Sequence, residues 1–304
     1  MRLFSDQEIF KAQELLKQEE LVAFPTETVY GLGALISSEP ALKKIYLAKG
    51  RPSDNPLIVH LLNIEDVLQV AVDIPEIFWK LAAAFSPGPL TFILKKAPHI
   101  SPIISAGKET IAVRFPSHLI ARELLKQLAA PIAAPSANLS GKPSSTLASH
   151  VLEDFEGSIA GVIDGGPSSL GLESTVINLM TDPPAILRPG TITKEEIENL
   201  LGMTILDKLD GQPLVSPGMK YRHYAPKTPI ELVFNESELT HSPKHALLAR
   251  VNNHYPNFFP LSGETLYALL RAIDAQNFDK ITVFCDPITQ QNKALMNRLS
   301  HASK

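Results

Sequence analysis

Short apolar runs, each shut off by a polar segment rich in Gly, Pro and Ser, recur from Leu21 to Arg188 and alternate with stretches of helical period. This alternation restricts the chain to an α/β fold, because strands that short bury both faces only when helices pack over a sheet. Leu21 to Phe24 reads as a strand that stops at Pro25, and Pro56 to Leu62 as a buried strand. Further strands are expected at Thr91 to Leu94, Ile111 to Phe115, Ile132 to Ala134, Gly161 to Ile163, Thr175 to Leu179 and Ala185 to Arg188. A capping box from Ser5 to Glu8 opens a helix with Ile9, Ala12 and Leu16 on one face. Helices are also expected at Ala41 to Lys49, Ile64 to Val72, Glu76 to Phe85 and Leu119 to Leu128. A second capping box, Thr193 and Glu196, starts one that runs to about Leu201.

A chain of 304 residues exceeds one ordinary core, and the pattern breaks once, between Asp207 and Pro229. Those residues have no periodicity, and a structureless stretch of that length is usually functional. The spacing therefore divides the chain into residues 1–206, a linker at 207–229 and a small α/β unit at 230–304. In the last, Ile230 to Phe234, Ala246 to Val251 and Ile281 to Cys285 read as strands, and Leu266 to Ala275 and Ala294 to Leu299 as helices. The single cysteine, Cys285, excludes an intramolecular disulfide and a Cys-rich zinc module. A net charge of −4 argues against the broad basic surface of a non-specific nucleic-acid binder. The N-terminus lacks the apolar core of a signal peptide, and no apolar run approaches the ~20 residues of a membrane span. A cytoplasmic protein without membrane contact is expected.

Common nucleotide and hydrolase templates fail. Gly141-Lys142-Pro143-Ser144 lacks the first glycine of a P-loop, and Gly31-Leu32-Gly33-Ala34-Leu35-Ile36 ends at isoleucine where a dinucleotide fingerprint needs a small residue. What remains are the polar segments that close the strands: PTETVYGLG (25–33), KGRPSDNPL (49–57), SPGPLTFIL (86–94), VRFP (113–116), APSANLSGKPSST (134–146), GLESTVI and LRPG. In open α/β sheets strand ends line the ligand crevice, so these segments converge. Lys49, Arg51, Arg114, Lys142 and Arg188 sit in or beside Gly- or Pro-bearing turns, with the hydroxyls of Ser136, Ser140, Ser144, Ser145 and Ser174 among them. Guanidinium forks, ammonium charges and turn N–H groups suit a phosphate or carboxylate. Each residue also has a plainer reading. His60, inside PLIVHLL, fits a core histidine, Thr26 a turn cap, and Tyr221 and Tyr224 surface packing.

These segments, in this order, resemble the YrdC-like domain of threonylcarbamoyl-AMP synthases over Leu3 to Leu206. GMKYRHYAP (218–226) resembles the linker of the family's longer form, which carries an extra C-terminal domain. The resemblance implies a YrdC-like twisted sheet with flanking helices and a concave basic cavity, followed by a small Rossmann-like α/β domain. It implies synthesis of threonylcarbamoyl-AMP and pyrophosphate from L-threonine, bicarbonate and ATP. The product would serve threonylcarbamoyladenosine formation at position 37 of tRNA, handed on to a tRNA-modifying transferase complex. By position, Thr26, His60, Arg114, Ala134 and Ser174 match residues that hold threonine. Lys49, Ser53, Thr110, Ser136, Ser144, Arg188 and His223 match residues that hold ATP.

Mg²⁺ would accompany ATP, with no tightly bound cofactor, no protein-bound metal and no covalent nucleophile. Catalysis would rest on positioning and electrostatics, with Lys49, Arg114 and Arg188 in one pocket and the linker, through His223, closing over the nucleotide. The competing reading is a double-stranded RNA or tRNA-binding module without chemistry, and weak RNA binding is compatible with either. A carbamoyl transferase of the hydrogenase-maturation type would need the Cys-rich segments that a single cysteine excludes.

Overall fold

The structure, a computed structural model, describes residues 1–207, 224–240, 242–252 and 254–304. Its strands are β1 (Arg2–Phe4), β2 (Val22–Phe24), β3 (Gly31–Leu35), β4 (Ile58–His60), β5 (Ala71–Val72), β6 (Leu90–Lys96), β7 (Thr110–Arg114), β8 (Ile132–Ala133), β9 (Gly161–Ile163), β10 (Thr175–Asn178), β11 (Ala185–Arg188), β12 (Leu206–Asp207), β13 (Ile230–Val233), β14 (His245–Ala249), β15 (Phe258–Pro260) and β16 (Lys280–Phe284). The first twelve form one mixed sheet in the order β1-β9-β2-β3-β8-β4-β7-β6-β10-β11-β12, with β5 on the outer end of β6. The last four form a separate parallel sheet in the order β13-β16-β14-β15.

The helices are α1 (Ile9–Lys17), α2 (Glu39–Lys49), α3 (Glu76–Phe85), α4 (Pro102–Ser105), α5 (Leu119–Leu128), α6 (Ala148–Phe155), α7 (Lys194–Leu201), α8 (Leu266–Asp274), α9 (Pro287–Gln291) and α10 (Lys293–Ala302). Both expected capping boxes form, at Ser5–Glu8 and at Thr193–Glu196. The large sheet buries Val59, Phe92 and Val113 in the main core, while Val22, Ile132 and Ile163 pack with α1 and α5 in a second one. A small third cluster, Ile58, Ile93, Ala112, Val176 and Leu187, lies in mid-sheet. Among the described residues no helix is long and apolar enough to cross a membrane.

Several elements depart from expectation. Gly31–Leu35 is a strand, because the glycines let it lie against Phe24; a Cβ on Gly33 would come within 2.9 Å of that ring. Ile64 to Val72 is not an α-helix. It makes a 3₁₀ turn over Ile64–Gln69 and then pairs with β6 as β5. Helices α4, α6 and α9 and strands β1, β12 and β15 went unpredicted.

Candidate active site

The pairing register builds the site. His60 on β4 lies opposite Arg114 on β7, Arg114 opposite Thr91 on β6, Thr91 opposite Val176 on β10, and Val176 opposite Arg188 on β11. Residues directly opposite across strands share a face. One row across five strands therefore carries His60, Arg114, Thr91 and Arg188, with the buried apolar cluster of Ile58, Ala112, Ile93 and Val176 alongside. Loops after β2 and β8, together with Tyr224, complete a cavity lined by His60, Arg114 and Arg188 of this row.

At one end stands Arg114, buried together with Glu27. Its Nη2 is 2.7 Å from Glu27 Oε1, its Nη1 donates to Thr28 Oγ1 at 2.8 Å, and its Nε donates to the Gly88 carbonyl at 3.4 Å. Glu27 also accepts from the Ser117 N–H at 3.2 Å. Burial raises the Glu27 carboxyl, but Arg114 more than offsets that and holds it below the usual carboxylate range. Thr26 Oγ1 lies 3.0 Å from Thr28 Oγ1 and donates to the Val29 carbonyl at 2.6 Å. His60 is buried edge-on to Phe24. Desolvation, with Arg114 beside it, lowers its pKa to about 3, so the ring is neutral.

At the other end Arg188, also buried, donates from Nε to the Ser174 carbonyl at 3.1 Å and from Nη2 to Ser174 Oγ at 3.2 Å. Ser174 Oγ lies 2.7 Å from Thr91 Oγ1, which ties this end to the middle of the row. Beside it Glu173 takes Ser144 Oγ at 2.5 Å on one oxygen, and the Tyr267 hydroxyl at 2.9 Å and Arg298 Nε at 2.7 Å on the other. Tyr224 is buried in the cavity wall and stacks on Tyr267 with centroids 5.4 Å apart. The next residue, Ala225, donates to the Gly141 carbonyl at 2.8 Å.

Of the residues expected to bind, Thr26, His60, Arg114, Ala134, Ser136, Ser144, Ser174 and Arg188 line this cavity, joined by Arg51, Asn138 and Lys142. Lys49, Ser53 and Thr110 do not. Lys49 ends α2 and turns inward, donating to the carbonyls of Ser136 (2.6 Å) and Asn138. Burial, with Arg51 nearby, pushes its ammonium well below the usual lysine range. Lys49 thus supports the Ser136 loop from behind instead of facing the cavity. Ser53 is exposed and borders a separate apolar groove with Tyr46, Leu47 and Ile103. Thr110 begins β7, four residues from Arg114, about 13 Å along an extended strand. His223 and Tyr221 lie outside the described residues, as does most of the expected linker.

Arg51, open on sequence grounds, lines the cavity. Its fork donates to the carbonyls of Asn55 at 3.1 Å and Pro56 at 2.9 Å, and burial lowers it only to about 10, so it stays cationic. Sequence reasoning missed Glu27, Thr28, Glu173, Tyr267 and Arg298. Both glutamates stand inside segments singled out for chemistry, but an acid in an anion site invites no role until its partner is seen.

Residues 14–190 match the Sua5/YciO/YrdC family, described as telomere recombination, and residues 192–304 match the threonylcarbamoyl-AMP synthase C-terminal domain. The threonylcarbamoyl-AMP synthase of Bacillus subtilis (strain 168) is 51% identical over 232 residues, which cover 75% of this chain and 67% of that protein. That of Pyrococcus abyssi is 50% identical over 226 residues, covering 73% of this chain and 66% of that protein. The Schizosaccharomyces pombe synthase is 37% identical over 346 residues, covering 93% of this chain and 84% of that protein. Among solved structures, P. abyssi Sua5 complexed with L-threonine matches with a TM-score of 0.91 and 38% identity, over 100% of this chain and 98% of that one. Escherichia coli YciO, 24% identical with a TM-score of 0.59, shares the fold over 65% of this chain.

Proposed function

We propose, for a chain that belongs to the Sua5/YciO/YrdC family and carries the threonylcarbamoyl-AMP synthase C-terminal domain, that it is an L-threonylcarbamoyladenylate synthase. The observation that carries this reading is the single register row that sets two buried arginines, Arg114 and Arg188, at opposite ends of one polar cavity. Threonine binds toward Arg114, with Thr26, His60 and Ala134 around it and Ser174, tied to Thr91 in the middle of the row, on the side that faces Arg188. ATP binds toward Arg188, with Arg51, Ser136 and Ser144. Residues 1–206 form the catalytic domain, and 230–304 the C-terminal one.

The amine of threonine bonds to the carbon of bicarbonate and loses water, giving a carbamate. A carbamate oxygen then attacks the α-phosphorus of ATP, and pyrophosphate leaves with the bonding electrons. No side chain forms a bond in either step. The protein holds two mutually repelling anions within reach of each other and masks their charge with fixed cations and hydroxyls. Glu27 fixes the Arg114 fork, and Ser174 fixes that of Arg188, so little reorganisation is needed when the anions arrive. A neutral His60 faces the amino acid without adding charge to either anion. Mg²⁺ enters on the triphosphate as part of the substrate. Glu27 and Glu173 are taken up in ion pairs, and no cluster of acid, His or Cys side chains among the described residues could hold a metal.

The product is a mixed anhydride, and its consumption by threonylcarbamoyl transfer to adenosine 37 of tRNA is the expected next step. The test is pyrophosphate release from ATP with threonine and bicarbonate each left out in turn. Release that requires both supports the synthase. Salt-sensitive RNA binding without ATP consumption would instead make the cavity a docking site for RNA phosphates.

A further inference from the structure

The cavity holds one feature that its proposed task does not call for. Glu173 is a buried carboxylate on the lining, beside Ser174 and within the field of Arg188, where a triphosphate has to be received. A bare negative charge there would repel the phosphates and would be costly to bury. It is not bare. The fully buried guanidinium of Arg298, which belongs to α10 of the C-terminal unit, sits 2.7 Å from its Oε2. Arg298 does more than pair a charge. Its Nη2 donates to the Glu173 carbonyl at 3.1 Å, and its Nη1 to the Pro189 carbonyl at 2.9 Å. Glu173 and Pro189 are the chain neighbours of Ser174 and Arg188.

We propose that Arg298 is a positioning residue of the nucleotide end of the site, which it serves from the C-terminal unit by cancelling the charge of Glu173 and clamping the backbone beside Ser174 and Arg188. This rests on the reading of that end as the ATP site. Glu173 is in turn the shared acceptor for Ser144, one of the proposed ATP contacts, and for Tyr267 of α8, so the clamp reaches the lining hydroxyl of Ser144 through one carboxylate. The carboxyl stays ionised in spite of its burial because Arg298, Arg188 and Ser144 together hold it below the usual range. Among the described residues no other ion pair between the two units reaches Glu173. Lys293 meets Glu195 in solvent, and Arg271 meets Asp154 at 2.7 Å behind the Pro143 loop. Arg298 is thus distinct from mere fastening between domains.

The test compares the full-length wild type with R298M, R298K and E173Q/R298M, reading ATP affinity by calorimetry and KM for ATP and for threonine by pyrophosphate release. R298M should weaken ATP by about tenfold or more, from the unpaired charge it leaves, while KM for threonine moves less than about threefold. R298K, which keeps the charge and loses the fork, should fall between. E173Q/R298M should recover most of the lost ATP affinity, because the charge that needed cancelling is gone. If R298M does not fold, R298K and the double variant carry the comparison, and the double variant should bind ATP at least as tightly as R298K. Equal rises in both KM values, or a double variant no better than the single one, would overturn the proposal and leave Arg298 as a structural tie. A wild type that binds no ATP would overturn the functional reading itself, and is told apart by that control.

Discussion

The two ends of the cavity solve the same problem with different materials. Each holds a buried arginine for an anion and a buried glutamate close by. At the Arg114 end the glutamate is Glu27, the chain neighbour of Thr26, and every partner comes from the large sheet and its loops. At the Arg188 end the glutamate is Glu173, and its counter-charge comes from Arg298, 125 residues further along the chain. The first end is complete within the catalytic unit, whereas the second is finished only when the C-terminal unit docks. Dependence on that unit should therefore fall on the nucleotide and spare the amino acid.

The largest expected effect breaks the self-contained end. R114M leaves Glu27 buried without its partner and should lower kcat/KM for threonine about a thousandfold, with a much smaller change in ATP affinity by calorimetry. Equal losses for both substrates would erase the distinction between the ends. Next comes the turn that brings Arg188 beside Ser174. A Cβ on Gly190 would lie 2.2 Å from the Thr175 nitrogen and 2.6 Å from the Ser174 carbonyl carbon. G190A should cost about 3 kcal/mol of stability in urea unfolding and weaken ATP more than threonine, because the backbone itself must move.

Acid separates the ends more gently. His60 has a folded pKa near 3 against about 6.5 unfolded, so the unfolded chain takes the proton first. Its contribution is whole above about pH 6.5 and is lost as pH falls toward 3, at about 1.4 kcal/mol per pH unit. Glu27 and Glu173 are depressed from ordinary carboxylate values, so their contributions begin to fall only below about pH 4.5. Urea midpoints between about pH 6 and pH 5 should accordingly fall less steeply in H60N than in the wild type, and an unaltered slope would contradict a neutral buried His60. The smallest effect is expected at the exposed bridge between the units. K293A should change stability by less than about 0.5 kcal/mol and leave both KM values in place, since Lys293 and Glu195 are each largely in solvent.

Much of this architecture was legible because local rules decide it. The strands at Leu21, Pro56, Thr91, Ile111, Thr175 and Ala185 and the two capping boxes follow from periodicity and turn chemistry, which act over a few residues. Strand β3 was missed because Gly-Leu-Gly reads as a turn until Phe24 is known to lie over it. Lys49 had the right charge in the right segment. Its ammonium nevertheless turns into a cage of carbonyls, because the end of α2 aims it there. Ser53 and Thr110 stand outside the described lining of the cavity, the one on a neighbouring groove and the other at the start of β7.

The sequence by itself settled the α/β class and marked out polar segments that come to line the cavity, since apolar period, Gly and Pro placement and side-chain charge are properties of neighbours in the chain. Only the tertiary structure decided that His60, Arg114, Thr91 and Arg188 share one row, and that Arg298 answers Glu173. Register is a matter of pairing between distant strands, and a buried charge finds its partner in space, so neither leaves a mark at any fixed separation along the chain.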